Sequence, residues 1–382
     1  MLNMKKGHRP PPVPVQGDSL FQDGPKPGQP GWHEPYVEGF DAEEWEKSES
    51  LRSAEALRYE LFYKYEDEDD PGVHAFWARN GVRKQLFDKD IMDGKHRYSV
   101  HTPLTMTIPG KSGESGEAYP LIYYCHGGMQ DPFQAECSGF SLLLQKEPMI
   151  IVYANNGGMS NEDALEDFHK ITDALKEKGY PVDWSRVYVC GFSSGSDAAE
   201  SIATQYPKLV AAVSPCPGSN AMYNSLCRVT PEAYAECLDT RVPVLFIGGT
   251  ADFGDKYPYP DEECIENFNI WAEHIAKVRG YMPITFARSR ELSKSSTDPA
   301  KKAVGLDFFR TWTQHFEERD WYFGEFYGEE GEPVIRFIVG EGVPHVVTGC
   351  HAPLTWEFFK HWSKDPQTGE SIYTPVVGLG VR

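Results

Sequence analysis

No stretch of the 382-residue chain stays apolar for the ~20 residues that a helix needs to cross a bilayer. Positive charge is also in short supply. The chain has 37 lysines and arginines against 57 aspartates and glutamates, a net charge of -20. A surface of that sign repels nucleic-acid phosphates and anionic lipid heads, so neither nucleic acid nor membrane is expected as a partner. The patterns that hold metals and phosphates are missing too. There is no HExxH, no CxxC, no GxGxxG after an apolar run and no GxxxxGK[ST], so neither a metal nor a nucleotide cofactor is expected. The opening MLNMKKGHRPPPVPVQGDS puts prolines where a secretory leader needs an apolar segment, and the expected location is cytoplasmic. The eight cysteines are scattered, as small buried hydrophobes are. In an oxidising compartment Cys216 could pair with Cys227, or Cys227 with Cys237.

Hydrophobic residues make up 40% of the chain and aromatics 13%, enough for a large core and too much for disorder. Residues 1–35 hold eight prolines and five glycines, an extended arm that can embrace a second copy in a homo-oligomer. From Asp41 to Tyr65 the pattern turns helical, with Leu51, Ala54, Leu57, Leu61 and Tyr65 near one face. The acidic run Glu66–Asp70 and Pro71-Gly72 end that element.

Beyond it, short apolar runs alternate with helical stretches. Strands are predicted at Arg97–His101, Leu121–Cys125, Met149–Tyr153, Val187–Cys190, Val210–Val213, Val242–Ile247 and Val334–Val339. Helices are predicted near 161–179, 195–206, 262–278 and 353–363. Near-continuous apolar strands in such an alternation imply an α/β fold, a mostly parallel central sheet with helices on both faces. Residues 280–331 interrupt the pattern and carry nine aromatics within Phe308–Tyr327. Phe308, Trp312 and Phe316 fall on one helical face. This aromatic-rich insertion either packs onto the main domain or roofs a pocket. The organisation read from the chain is an N-terminal extension over 1–95, a domain over 96–364 with insertion 280–331, and a tail over 365–382.

The sharpest chemical signal is RVYVCGFSSGSDAAESIA. A strand ending near Cys190 turns into a helix beginning near Ser194, and Gly191-Phe192-Ser193-Ser194-Gly195 forms the junction. A turn that sharp strains its apical residue, and flanking glycines remove the Cβ atoms that would collide. Ser193 Oγ then stands clear of the sheet, above the positive end of the helix. The Ser194 N–H is a candidate oxyanion donor. A second strand runs into His126-Gly127-Gly128-Met129, where bare backbone can supply the other donor from Gly127, Gly128 or Met129. His126 reads as a brace for that loop.

An acid and a base are also available. VPVLFIGGTADFGD ends a strand at Gly248-Gly249 with Asp252 just beyond, and Asp255 is the runner-up. Loops at the ends of parallel strands are where ligands gather. PVIRFIVGEGVPH places His345 past another strand, while the competing His351 abuts the last helix. Ser193, Asp252 and His345 follow the order nucleophile, acid, base expected along an α/β-hydrolase sheet.

Together these stretches resemble α/β-hydrolases of the polyhydroxybutyrate depolymerase and feruloyl or acetyl-xylan esterase type. The resemblance spans Arg97 to Trp362. It rests on HGGM at 126–129, GFSSG at 191–195, ATQYPKLVAAVSPCPGS, GGTAD at 248–252, IWAEHIAKVRGY and GEGVPH; residues 1–95 and the insertion fall outside it. It implies an α/β-hydrolase fold and a serine esterase with Ser193 as nucleophile, His345 as base and Asp252 as orienting acid. The implied substrate is a small or oligomeric phenolic, acetyl or hydroxyacyl ester, with no cofactor. Three rival readings bear on the same residues: a peptidase, a non-catalytic binding protein and a lipase. A prolyl-oligopeptidase-type peptidase would need a propeller that 95 residues cannot build. A binding protein on a hydrolase scaffold would not need the full set of motifs. A lipase would need a long apolar lid, which is not visible.

Overall fold

The computed structural model describes residues 61, 64–65, 68–87, 97–108, 118–127, 132–154, 161–216, 239–251, 262–316, 319–343, 345 and 347–376. Helix α1 (Pro71–Arg79) starts where the sequence dictates: Pro71 needs no N–H partner, and the Asp70 carboxylate accepts the Gly72 N–H at 2.7 Å. Strands β1 (Val82–Phe87), β2 (Tyr98–Pro103) and β3 (Tyr119–Cys125) follow, then α2 (Pro132–Glu136), a 3-10 turn at Phe140–Gln145 and β4 (Ile150–Ala154). Next come α3 (Asn161–Glu177), β5 (Val182–Phe192), α4 (Ser194–Gln205), β6 (Val210–Cys216) and β7 (Val244–Gly249). Helix α5 (Glu262–Ile270) continues into a π turn at Trp271–Ile275, followed by α6 (Phe286–Ser295), α7 (Pro299–Val304), β8 (Arg310–Phe316), β9 (Arg319–Tyr327) and β10 (Pro333–Gly340). The described chain closes with α8 (His351–Phe359) and the small hairpin β11 (Trp362–Lys364) and β12 (Ser371–Tyr373). None of the described helices is long and apolar enough to cross a membrane.

Ten strands form one sheet in the order β1-β2-β4-β3-β5-β6-β7-β10-β9-β8. The six from β4 to β10 run parallel, and antiparallel strands extend both edges. The parallel strands are buried along nearly their whole length, which is why they read as unbroken apolar runs. Tyr123 of β3 pairs with Val189 and meets Phe168 of α3, ring centres 5.0 Å apart. Tyr188, one residue along and so on the other face, stacks on Phe359 of α8 at 4.9 Å. Helices thus cover both faces.

Two sequence expectations change. The sheet begins earlier than residue 96: β1, from the segment read as an extension, is its edge strand. The insertion is not helical where Trp312 and Phe316 stand. Both lie on β8, which pairs with β9, which in turn pairs antiparallel with β10. Spacings of four and eight are even, so residues that share a helix face also share a strand face. Trp312 stacks on Phe323 at 4.8 Å, and Phe308 packs on Phe326 and Phe337. These aromatics pack the hairpin onto the sheet. The helix expected before Tyr65 lies outside the described residues except for Leu61, Lys64 and Tyr65, and Leu61 is buried. The candidate pairing partners Cys227 and Cys237 also lie outside.

A charged cluster is buried at the β1–β2 edge. Glu136, the last residue of α2, accepts hydrogen bonds from Lys84 Nζ of β1 (3.0 Å), Ser99 Oγ of β2 (2.8 Å) and Trp77 Nε1 of α1 (3.2 Å). His101 Nε2 lies 3.5 Å away, and its Nδ1 is bonded to Ser141 Oγ at 2.7 Å. Burial pushes the Glu136 carboxyl up, but the Lys84 ammonium and the His101 ring outweigh it and hold the pKa down, from the ordinary 4.5 to about 2. Burial holds the His101 pKa below its ordinary range.

A depressed carboxylate pKa stabilises the fold above the unfolded value, and that stabilisation fades as pH falls toward the folded value. Stability should therefore drop between pH 4.5 and 2 as Glu136 is forced to take a proton. Glu136→Gln leaves Lys84 buried without its counter-charge and is expected to cost about 3–5 kcal/mol at neutral pH. It should also flatten the pH dependence in that acid window. Urea unfolding of both proteins across pH checks this, and an unchanged midpoint at neutral pH would contradict it.

Candidate active site

The turn between β5 and α4 is strained where the sequence places Ser193. Ser193 has φ 55° and ψ -122°, one of two non-glycine residues with positive φ among those described. Backbone in such a region costs about 1–3 kcal/mol and persists only where its surroundings enforce it. Here the Ser193 N–H donates to Cys216 O at 2.9 Å, and the Ser193 carbonyl accepts the Ser196 N–H at 2.8 Å. Ser196 Oγ lies 3.0 Å from Gly191 O and 2.8 Å from Cys216 O as donor, and accepts the Cys216 N–H at 2.9 Å. That hydroxyl ties β5, β6 and α4 together under the turn. The sequence reading did not single out Ser196; its signal is a small polar residue one helical turn inside a helix that begins in a strained junction. The glycines have a steric reason. A Cβ on Gly191 would lie 2.0 Å from Gly195 O, and one on Gly195 would lie 2.2 Å from Cys125 O.

His345 reaches this serine from the loop after β10. Its Nε2 lies 2.9 Å from Ser193 Oγ, and the ring is 98% shielded from solvent, tilted against Phe192 at 4.9 Å. With the ring proton on Nδ1, the serine hydroxyl donates to Nε2, the arrangement in which histidine can take the proton. The end of β7 is stitched to the same loop. Thr250 N–H donates to Gly340 O (3.0 Å), Ala251 N–H to Val343 O (3.1 Å) and Gly342 N–H to Thr250 Oγ1 (2.8 Å). The chain leading into Asp252 therefore runs beside the chain leading into His345. Asp252 and Asp255 themselves lie outside the described residues.

The remaining candidates divide. Gly127 lies against the serine: a Cβ there would come within 2.8 Å of the Phe192 ring and 3.2 Å of Ser193 Cβ. Gly128 and Met129 lie outside the described residues. Ser194 opens α4, so its N–H is one of the first-turn donors of that helix. His126 is buried and its Nδ1–H donates to Gly127 O at 2.7 Å, in keeping with a brace. His351 is buried in the first turn of α8, where its Nδ1 accepts the Thr348 N–H at 2.8 Å. Burial pulls its pKa down to about 3, so the ring is neutral.

A central sheet in this strand order, with a strained serine turn after β5 and a histidine after the last parallel strand, is the α/β-hydrolase fold. No family model matches the chain. It is 31% identical over 188 residues to a bifunctional acetylxylan esterase/xylanase, XynS20E, of Neocallimastix patriciarum, a stretch covering 47% of this chain and 26% of that protein. The chain thus spans about a quarter of that relative's length. Among solved structures, an acetyl xylan esterase from Aspergillus awamori aligns over 73% of this chain and 98% of its own, with 15% identity and a TM-score of 0.43. A ferulic acid esterase aligns over 50% and 86%, with 17% identity and a TM-score of 0.36. The strand order and the turn at Ser193, not these superpositions, define the fold.

The close approach at the turn leaves no room for a methyl group. Gly195→Ala is expected to cost on the order of 3 kcal/mol, because Cys125 O is rigid backbone. The urea midpoint measures this, and a midpoint equal to the parent's would show that β3 and α4 are not in such contact.

Proposed function

We propose that the protein is a serine ester hydrolase. The observation that carries this reading is the 2.9 Å approach of His345 Nε2 to the hydroxyl of Ser193, at a residue held in strained backbone. Positive φ is costly for serine, so a fold that maintains it gains something else by doing so. In this account His345 takes the hydroxyl proton as Ser193 Oγ attacks the ester carbonyl. Negative charge then develops on the carbonyl oxygen. Backbone N–H groups of Ser194 and of the 127–129 stretch stabilise it, for which the position of Gly127 against Ser193 is the supporting geometry. His345 passes its proton to the departing alkoxide and the acyl-enzyme remains. Water, deprotonated by His345, releases the acid and restores the serine. Asp252 holds the Nδ1–H of His345 and offsets its transient positive charge. The stitching of residues 250–251 to 340–343 supports that assignment by bringing the two chain segments together.

The likeness to an acetylxylan esterase/xylanase favours acetyl esters as substrates, ahead of phenolic and hydroxyacyl esters. The rest of the chemistry needs only groups of this chain. A peptidase would use the same residues, so the choice between them rests on substrate.

Ser193→Ala should lower kcat on p-nitrophenyl acetate by on the order of 10⁶, as nucleophile removal does in other serine hydrolases. A variant that kept ester turnover would end this reading. A panel of acetylated sugars, hydroxycinnamate esters and hydroxybutyrate oligomers should show the acetyl esters turned over fastest. Peptide-bond cleavage exceeding all of them would instead make the protein a peptidase.

A further inference from the structure

His351 is not placed to touch the Ser193 hydroxyl, yet its surroundings are unusual for a histidine that only fills space. The ring is 98% shielded from solvent. Its Nδ1 faces two donors from one residue, the Thr348 N–H at 2.8 Å and the Thr348 Oγ1 at 2.6 Å. A backbone N–H can only donate, so Nδ1 carries no proton and the proton sits on Nε2. Thr348 is fully buried and stands three residues after His345.

The loop that carries His345 is therefore tied at two points. Upstream, three hydrogen bonds fasten it to the end of β7. Downstream, Thr348 is fastened to the ring of His351. His345 lies between the ties. His351 also borders the strained turn: with Gly191, Ser214 and Cys216 it lines one cavity of about 10 Å³. Gly191 O and Cys216 O are the acceptors that hold Ser196 beneath Ser193. His351 Nε2 and Ser214 Oγ have no hydrogen-bond partner among the described residues.

We propose that His351 is a positioning residue for the base. Its unprotonated Nδ1 captures the amide of Thr348 and fixes the loop of His345 against the back of the Ser193 turn. This rests on the serine-hydrolase reading and adds a specific role for a side chain outside the reacting set. The physical demand is plain. A general base works only when held close to its productive geometry, and a misplacement of about 1 Å can cost about 100-fold in rate. None of the described residues between Gly340 and His351 belongs to a helix or strand that would supply that rigidity.

The test compares His351→Leu, which removes both ring nitrogens, with His351→Asn, whose Oδ1 can take the place of the Nδ1 acceptor. Two rates are read: p-nitrophenyl acetate turnover, and covalent labelling by a fluorophosphonate, which reports serine reactivity whatever the natural ester is. His351→Leu is expected to lower kcat and the labelling rate about 10- to 100-fold, with KM changed by less than about threefold. His351→Asn is expected to stay within about fivefold of the parent, the residual loss being the Nε2 side. Parent-like labelling by folded His351→Leu, or equal rates for the two variants, would overturn the proposal. Should His351→Leu fail to fold, His351→Gln replaces it. Its amide reaches the Nε2 position and not Nδ1, so it should label at least fivefold more slowly than His351→Asn, and equality of the two would again overturn the idea. Failure of the hydrolase reading itself shows separately, as turnover and labelling that survive Ser193→Ala.

Discussion

The strained backbone of Ser193 is the constraint from which the rest of the site follows. A residue with positive φ at the end of a buried strand cannot be placed by its own preferences; neighbours must hold it there. The Cys216 carbonyl, the Ser196 hydroxyl and two glycines without room for a methyl group do so. What the strain achieves is directional. It lifts Oγ out of the sheet and toward the histidine loop, while the first N–H groups of α4 remain beside it. The same interactions that cost conformational freedom thus fix the Ser193 oxygen relative to His345 and to the first turn of α4.

The sheet then determines which other residues can reach that oxygen. β7 and β10 are parallel neighbours, so the chain leaves both at the same edge of the sheet, and hydrogen bonds join the two exits. On the other side, β3 delivers Gly127 against Ser193. The candidate site therefore lies at the ends of β3, β5 and β10, with the end of β7 hydrogen-bonded beside it, and the registers of these strands are locked by buried apolar side chains. Farther out, Glu136 gathers hydrogen bonds from α1, β1 and β2 at the C-terminal end of α2, the short helix that follows the 126–131 stretch. The sheet edge is fastened there by charge, whereas its centre is fastened by apolar packing.

Much of this was legible in the amino-acid sequence, for reasons that vary by element. The parallel strands stand out because burial on both faces leaves them no polar alternation, as in Leu121–Cys125 and Val244–Gly249. The serine turn stands out because its glycines are forced by contact. β1 was not visible. Its sequence VRKQLF looks like a solvent-exposed run, and the buried Lys84 is explained by partners distant in sequence, the Glu136 carboxylate 52 residues on and the Glu68 carbonyl. β8 was misread because even spacing of aromatics fits a strand as well as a helix, and its partner β9 was hidden with it. Ser196 and the Thr348–His351 contact escaped notice because their meaning lies in which carbonyl or amide they face, and sequence spacing carries no such information. His351 could be ranked only as a weaker rival to His345; its burial and its bond to Thr348 give it a different place.

The proposed reaction requires one serine oxygen, one imidazole and backbone amides to converge on a single reacting carbon. The most direct measurement is a high-resolution crystal structure of the protein after reaction with a fluorophosphonate. Phosphorus is expected to be bonded to Ser193 Oγ, with its phosphoryl oxygen within hydrogen-bond distance of the Ser194 N–H and of an N–H from 127–129, and with His345 Nε2 beside the serine oxygen. An adduct on another residue, or a phosphoryl oxygen turned away from those amides into solvent, would contradict the proposed reaction.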